Sequence, residues 1–228
     1  DYIPKNADVF ADGDVELIDM SQRLTYNLVC YTHTHDGDET DDEGVCDDAT
    51  LLADPHFWLD PVLMLDAALF VKDKLIATFP ENEVLYNNNY TVLNSALEKL
   101  DTDYQEMADE AVKPIITTAM LFTYWRVRYD LEVVSITSDA HSTETNAGDL
   151  IELLAFAQEH NIMYIMFEKN TNSPSGDQLL ADLRQSTPTA EALYLHGLGN
   201  TTEAEVAAGS TYLSIMYDNL VALEAATK

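Results

Sequence analysis

The stretch that decides the fold is residues 54–61, which read Asp-Pro-His-Phe-Trp-Leu-Asp-Pro. It follows a polar segment and enters an apolar run that continues to position 79. Pro61 suits the first turn of a helix, because the N–H that proline lacks has no helical partner there. His56 lies between Asp54 and Asp60, and a nearby carboxylate can accept the second N–H of an imidazole that binds a metal. Spacing alone leaves both a structural histidine and a metal ligand open.

Downstream, apolar and aromatic side chains recur every three or four residues from Tyr86 to Ala111. The spacing predicts one helix of about seven turns with a single apolar stripe. A helix of this length favours a brace between two halves of the chain, and a surface helix of an ordinary core is the alternative.

After Pro114 the pattern alternates between short apolar strands and helices. Strands are predicted at 115–118, 131–136, 162–167 and 192–195, and helices at 121–129, 147–160, 176–185 and 211–226. Four such units in succession predict an α/β lobe with a parallel sheet covered by helices on both faces. Ligands of such sheets bind beyond the carboxyl ends of the strands. The residues at those ends are Ala119, 137–141, Glu168 and His196.

We therefore predict three regions. Residues 1–80 form the end of an N-terminal lobe, with a strand at 15–18 and a polar loop at 31–50. Residues 81–112 form the long helix, and residues 113–228 form the βα lobe. The chain begins abruptly at Asp1, which favours a longer precursor.

The hydrophobic content and the net charge of the chain exclude several classes of function. Hydrophobic residues make up 46% of 228 residues, so the chain can bury a sizeable core. Acidic residues outnumber basic ones, 41 to 11, for a formal net charge of −30. Such a charge opposes binding to nucleic acid and to anionic lipid, so both are excluded as partners. No apolar run approaches the about 18 residues of a membrane span.

The two cysteines, Cys30 and Cys46, bracket the polar loop. A disulfide between them would stabilise the chain by about 3 kcal/mol and would indicate an oxidising compartment. Two unrelated free thiols are the alternative.

Residues 54–61 resemble the Asp-Pro-His-x-Trp-Leu-Asp-Pro signature of the zinc- and manganese-binding proteins of bacterial ABC importers, the TroA-like family. Positions across most of the chain add to the resemblance: Tyr86, Asn88, Tyr90, Leu97, Leu100, Asp101, Tyr104, Phe122, Tyr124, Tyr129, Leu131, Glu132, Val133, Glu168, Tyr212, Leu213, Asn219 and Leu220. The resemblance implies a two-lobed α/β fold with a long bracing helix, a parallel-sheet C-terminal lobe and an N-terminal lobe that is only partly present.

The resemblance also implies a metal site, with departures. The motif histidine of the family is a ligand, so His56 is expected to bind metal. The family's first ligand histidine has no counterpart upstream of His33, and its third falls on Ala119, which cannot coordinate. Its fourth ligand, an aspartate, falls on His196. Glu168 stands where the family has a glutamate and is expected to orient a ligand, with a buried structural carboxylate as the alternative.

Zinc sites need three or four protein ligands, and His56 with His196 supply two. An upstream histidine, His141, or one of His33 and His35 could complete the set. The loop that carries His33, His35, Asp36 and Asp38 resembles the His/Asp-rich loop of the zinc-specific branch. Such clusters can hold zinc weakly and pass it on, and simple solvated charge is the alternative.

The resemblance implies a non-enzymatic function outside the cytoplasm: capture of Zn(II), with Mn(II) as second choice, for a membrane permease. Imidazole ligands favour zinc, because manganese prefers oxygen donors. The hypothesis requires that His56 and His196 face one another across a cleft. One alternative is a degenerate member that serves as a structural or interaction module, which Ala119 favours. The other is a metal-dependent hydrolase with Glu168 as its base.

Overall fold

The computed structural model describes residues 17, 18, 20, 28–30, 51–137 and 145–228, with the backbone alone at 28–30 and 51–53. Strand β1 (Leu28–Cys30) pairs antiparallel with β2 (Leu51–Ala53), with Val29 opposite Leu52. This pair was not predicted, because each strand has only three residues and no alternating pattern.

The decisive stretch forms a 3-10 turn at Phe57–Leu59 and then helix α1 (Pro61–Thr78). The predicted helix start at Pro61 is confirmed. Asp60 caps the helix, because its Oδ1 accepts the N–H groups of Val62 at 2.8 Å and Leu63 at 3.3 Å. Two backbone donors that lack helical partners are thereby satisfied.

A second 3-10 turn, Pro80–Asn82, leads into α2 (Glu83–Asp109), whose 27 residues make it about 40 Å long. The predicted long helix is confirmed. Its apolar stripe is buried only in the second half, where four side chains enter the core: Leu97, Leu100, Tyr104 and Met107. In the first half, Leu93 is exposed.

The C-terminal half forms a sheet with the strand order β4-β3-β5-β6. Its strands are β3 (Ile115–Thr117), β4 (Val133–Ser135), β5 (Tyr164–Glu168) and β6 (Glu191–Leu195), and neighbouring strands run parallel. The helices are α3 (Thr123–Tyr129), α4 (Ala147–Glu159), α5 (Pro174–Ser186), α6 (Glu203–Ala207) and α7 (Tyr212–Thr227). The predicted α/β lobe with a parallel sheet is confirmed; α6 was not predicted.

The two faces of the sheet bury different cores. Ile115 and Met166 belong to a cluster that includes side chains of α2, α3 and α7. Ile116 and Ile165 belong to a second cluster, with side chains of α4 and α5. Successive strand residues point to opposite faces, so this division confirms the prediction that helices cover both sides.

Some expectations fail or fall outside the described part of the chain. The predicted strand at 15–18 is wrong at its two described positions, because Leu17 and Ile18 are exposed and belong to no strand. The candidate ligands and the second cysteine that lie outside the described residues are His33, His35, Asp36, Asp38, Cys46 and His141, and the side chain of Cys30 is not described either. Within the described ranges, no helix has the length and apolar character needed to cross a bilayer.

Candidate metal site around His56

The core of the candidate site is a pair formed by the buried Asp54 and the part-buried His56. The Asp54 side chain is 0% exposed, and its Oδ1 lies 2.6 Å from His56 Nδ1 and 2.9 Å from the His56 backbone nitrogen. Its other oxygen accepts a short hydrogen bond from the Thr123 hydroxyl. Because a carboxylate only accepts, the ring proton belongs on Nδ1, and the lone pair of His56 lies on Nε2.

Aromatic donors on α3 fix the backbone around this pair. The Tyr124 hydroxyl donates to the Asp54 carbonyl oxygen at 2.7 Å, and Trp125 Nε1 donates to the Leu59 carbonyl oxygen at 3.0 Å. Tyr124 and Trp125 are fully buried. The 54–61 stretch is therefore held at both ends against one face of α3.

Trp58 ties the same stretch to the segment after β6 and to the start of α7. Its Nε1 donates to the Gly197 carbonyl oxygen at 2.9 Å, and its own carbonyl oxygen accepts from the Tyr212 hydroxyl at 2.8 Å. The Trp58 ring meets the His56 ring edge-on, with centroids 5.4 Å apart. His56 and the residues after β6 therefore lie in one region of the molecule.

Asp60 has a structural role. It is buried, and while its Oδ1 caps α1, its Oδ2 accepts from Arg128 Nε and Nη2, each at 3.0 Å. Burial of Arg128 opposes its charge, but the hydrogen bond and the charge of Asp60 outweigh that and raise the pKa of Arg128. Of the two motif carboxylates, Asp54 is thus the one that pairs with the His56 ring.

His196 ends up in a different environment. It is 2% exposed and follows β6, where its backbone N–H donates to Asn219 Oδ1 at 2.7 Å. Its ring Nδ1 accepts the backbone N–H of Leu198 at 2.8 Å. Its Nε2 is buried, makes no hydrogen bond to any described residue, and lies 3.5 Å from Glu205 Oε2.

Glu168 ends β5 beside the same loop. Its Oε1 accepts from Asn200 Nδ2 at 3.3 Å, and its backbone N–H donates to Thr118 Oγ1 at 2.9 Å. A Cβ placed on Gly197 would come within 3.2 Å of Glu168 Oε1. The carboxylate therefore packs directly against the residue whose carbonyl holds Trp58.

The expected ligands that lie within the described ranges do not form a complete set. Ala119 is buried and lines a cavity of about 500 Å³ beside β4 and α4, where its side chain offers no donor atom. Among the described residues, no group of three or more His, Cys, Asp or Glu side chains could hold a metal ion. What the described ranges supply is two histidine–carboxylate pairs, His56 with Asp54 and His196 with Glu205.

The pairing of His196 with Glu205 was missed at the sequence level. Thr202 and Glu205 are spaced as in a capping box at the start of α6, and both reciprocal bonds are present. That spacing could have predicted the short helix, but not its approach to His196.

The sequence matches the family model for the periplasmic zinc-uptake complex component A (ZnuA) over residues 3–226. It is 31% identical over 175 residues to the zinc-binding lipoprotein AdcA of Streptococcus pneumoniae, covering 76% of this chain and 34% of that protein. It is 31% identical over 172 residues to the high-affinity zinc uptake system protein ZnuA of Bacillus subtilis, covering 75% of this chain and 52% of that protein. The chain thus spans about a third to a half of these curated relatives.

Solved structures show the same fold. The Zn(II)-bound ZnuA-like domain of Streptococcus pneumoniae AdcA superposes with a TM-score of 0.72 at 26% identity, over 99% of this chain and 75% of that chain. The metal-dependent lipoprotein YcdH of Bacillus subtilis gives a TM-score of 0.66 at 29% identity, over 81% and 68%.

Proposed function

Because this chain belongs to the family of the periplasmic zinc-uptake complex component A, we propose that it captures Zn(II) outside the cytoplasm and delivers it to the membrane permease of an ABC importer. Zn(II) is the cargo in this proposal, and Mn(II) is the second choice. A protein of this kind binds and releases its ion without converting a substrate chemically. A net charge of −30 attracts cations toward the surface.

The observation that carries the proposal is the pairing of His56 with the buried Asp54 carboxylate. A histidine that binds zinc donates its other ring N–H to a carboxylate or carbonyl, which fixes the ring and raises its basicity. Here Asp54 Oδ1 accepts the hydrogen bond from His56 Nδ1 at 2.6 Å, and the His56 side chain is 12% exposed. The lone pair on Nε2 is therefore oriented before metal arrives, and an ion can still reach it.

The remaining ligands must join His56, because zinc takes three or four protein ligands. His33, His35 and His141 lie outside the described residues and are proposed donors. Glu168 is a proposed oxygen donor or orienting group at the end of β5. The segment carrying His33, His35, Asp36 and Asp38 is proposed as a weak collector that concentrates zinc near the site.

Metal content tests the proposal directly. The intact protein, purified without chelator, is expected to carry zinc in a fixed ratio by elemental analysis, and His56→Ala is expected to abolish it. His160→Ala is the matched control, because His160 lies at the end of α4 with its ring tilted against that of Phe156, and this substitution should leave the zinc content unchanged.

A second candidate function is favoured by Ala119, which stands where the resemblance implies a metal ligand but has no donor atom in its side chain. In that case the chain is a degenerate member that serves as a structural or interaction module. An intact protein that binds neither Zn(II) nor Mn(II) in equilibrium dialysis would support this candidate and contradict metal capture.

A further inference from the structure

His196 stands where the resemblance implies a metal ligand, but both of its ring nitrogens are directed at the protein itself. We propose that His196 does not bind the cargo metal and instead positions the loop between β6 and α6. The proposal rests on the proposed function in one respect, that Zn(II) is the cargo.

The hydrogen bond at Nδ1 determines where the ring proton lies. The Leu198 backbone N–H donates to Nδ1 at 2.8 Å, so Nδ1 carries a lone pair and no proton. A neutral imidazole has one protonated and one unprotonated nitrogen. The proton of His196 therefore lies on Nε2, which faces Glu205 Oε2 at 3.5 Å.

Glu205 is held as an anion at this place. Its Oε2 accepts from the backbone N–H of Thr202 at 2.9 Å and from Asn170 Nδ2 at 2.9 Å, and its Oε1 pairs with Lys169 Nζ at 3.0 Å. These contacts, the Thr202 backbone N–H foremost, hold the pKa of Glu205 well below its ordinary value of 4.5. A carboxylate this close to Nε2 favours the tautomer in which that nitrogen carries the proton.

The backbone conformation of the loop after β6 indicates that His196 positions this loop. Leu198 has φ +67°, in the left-handed region that a residue with a Cβ adopts only at a cost. Its N–H bond to His196 Nδ1 supports that conformation, while Asn219 holds the His196 backbone through both its N–H and its carbonyl oxygen. His196 is thus held to α7 through its backbone, and its ring holds the loop whose Gly197 carbonyl oxygen accepts from Trp58.

Coordination would destroy this arrangement. Zinc needs a lone pair, and zinc at Nε2 would require either a ring deprotonated at both nitrogens or loss of the Leu198 bond. His56 shows the opposite tautomer, with its proton directed to Asp54 and its lone pair on Nε2. The two histidines therefore have different roles, although the resemblance implies the same role, that of a metal ligand, for both.

Ring nitrogen NMR decides the question on the full chain labelled with ¹⁵N. Expected for His196 is an unprotonated Nδ1 and a protonated Nε2, both without zinc and after addition of zinc. His56 is expected to keep its Nδ1 proton and to show a zinc-dependent shift at Nε2. A His196 that carries its proton on Nδ1 in the zinc-free protein, or that loses the Nε2 proton on zinc addition, overturns the proposal.

Matched substitutions provide the second measurement. His196→Asn keeps an oxygen near the position of Nδ1 to accept the Leu198 N–H but lacks Nε2, so zinc affinity should stay close to that of the parent. His56→Asn should lose its affinity for zinc. A loss of zinc binding as complete as that in His56→Asn, beyond the about 100-fold that removal of an outer-sphere partner causes, with thermal stability retained, would identify a ligand and overturn the proposal. If the parent binds no zinc, the proposed function fails, and the tautomer in the zinc-free protein still decides the positioning role.

Discussion

Replacing Asp54 by asparagine perturbs the histidine–carboxylate pair without changing its shape. In the native protein one oxygen of Asp54 accepts from the backbone and ring of His56, and the other accepts from Thr123. Asparagine keeps one oxygen and replaces the other with an NH₂ donor. If the oxygen faces His56, the ring keeps its tautomer but loses a charged acceptor. If the NH₂ faces His56, two donors meet and the ring must turn.

The magnitude follows from these contacts. Loss of an outer-sphere partner of a metal-binding histidine weakens metal binding by about 10- to 100-fold, or about 1.4 to 2.8 kcal/mol. Hydrogen bonds to a charged group are stronger than neutral ones by about 1 kcal/mol. Asp54 is 0% exposed, so the same change should also lower the free energy of unfolding by about 1–2 kcal/mol.

Asp60→Asn is the matched control, because Asp60 is also buried and belongs to the same motif. Asparagine remains a good helix cap, so the main loss is the ion pair with Arg128. We expect a lower melting temperature and an unchanged zinc affinity, measured by competition with a chromogenic chelator. Equal weakening of zinc binding in both variants, or none in Asp54→Asn, would refute the assignment of Asp54 to His56.

Three further predictions concern stability. Gly176→Ala should cost about 1–3 kcal/mol in urea unfolding, because its Cβ would lie 2.6 Å from the Thr118 methyl group; Gly199→Ala, where nothing lies within 4 Å of the new Cβ, is the control. Leu100→Ala should cost about 2–5 kcal/mol in the same assay, because Leu100 is fully buried between α2 and its neighbours, and a loss below about 1 kcal/mol would contradict that packing. Glu205→Gln should lower the melting temperature near neutral pH. The pKa of Glu205 in the folded protein lies below its ordinary value of 4.5, so the stabilisation from its charge is present above pH 4.5 and is lost as the pH falls further. The melting temperatures of the parent and Glu205→Gln should therefore converge in acid. A difference in melting temperature that is constant with pH would contradict this.

The fold was predictable because its signals are local. The spacing of apolar residues predicts α2 within a few positions, and the alternation after Pro114 predicts the parallel sheet. Contacts within a few residues were also accessible, since His56 and Asp54 are two positions apart. The Trp58–Gly197 bond joins positions 139 apart, and no periodicity reports such a contact.

The candidate site was less predictable, because the roles of its residues depend on contacts with elements that are distant in the sequence. The decisive stretch contains two kinds of residue. Trp58, Leu59 and Asp60 hold the stretch to distant elements through their hydrogen bonds, while the His56 ring pairs with Asp54 at Nδ1 and keeps its lone pair on Nε2. None of the three anchoring contacts uses the His56 ring.

At the two positions where the resemblance implies a ligand and this chain has a different residue, the side chain takes its role from its immediate neighbours. At position 119 the methyl group joins the apolar core. At position 196 the imidazole acquires an N–H donor on one side and an anion on the other. A family pattern identifies such a residue by its place in the fold, but its chemistry depends on the tautomer, and the tautomer is set by Leu198 and Glu205, whose contacts with the ring arise only once the chain has folded.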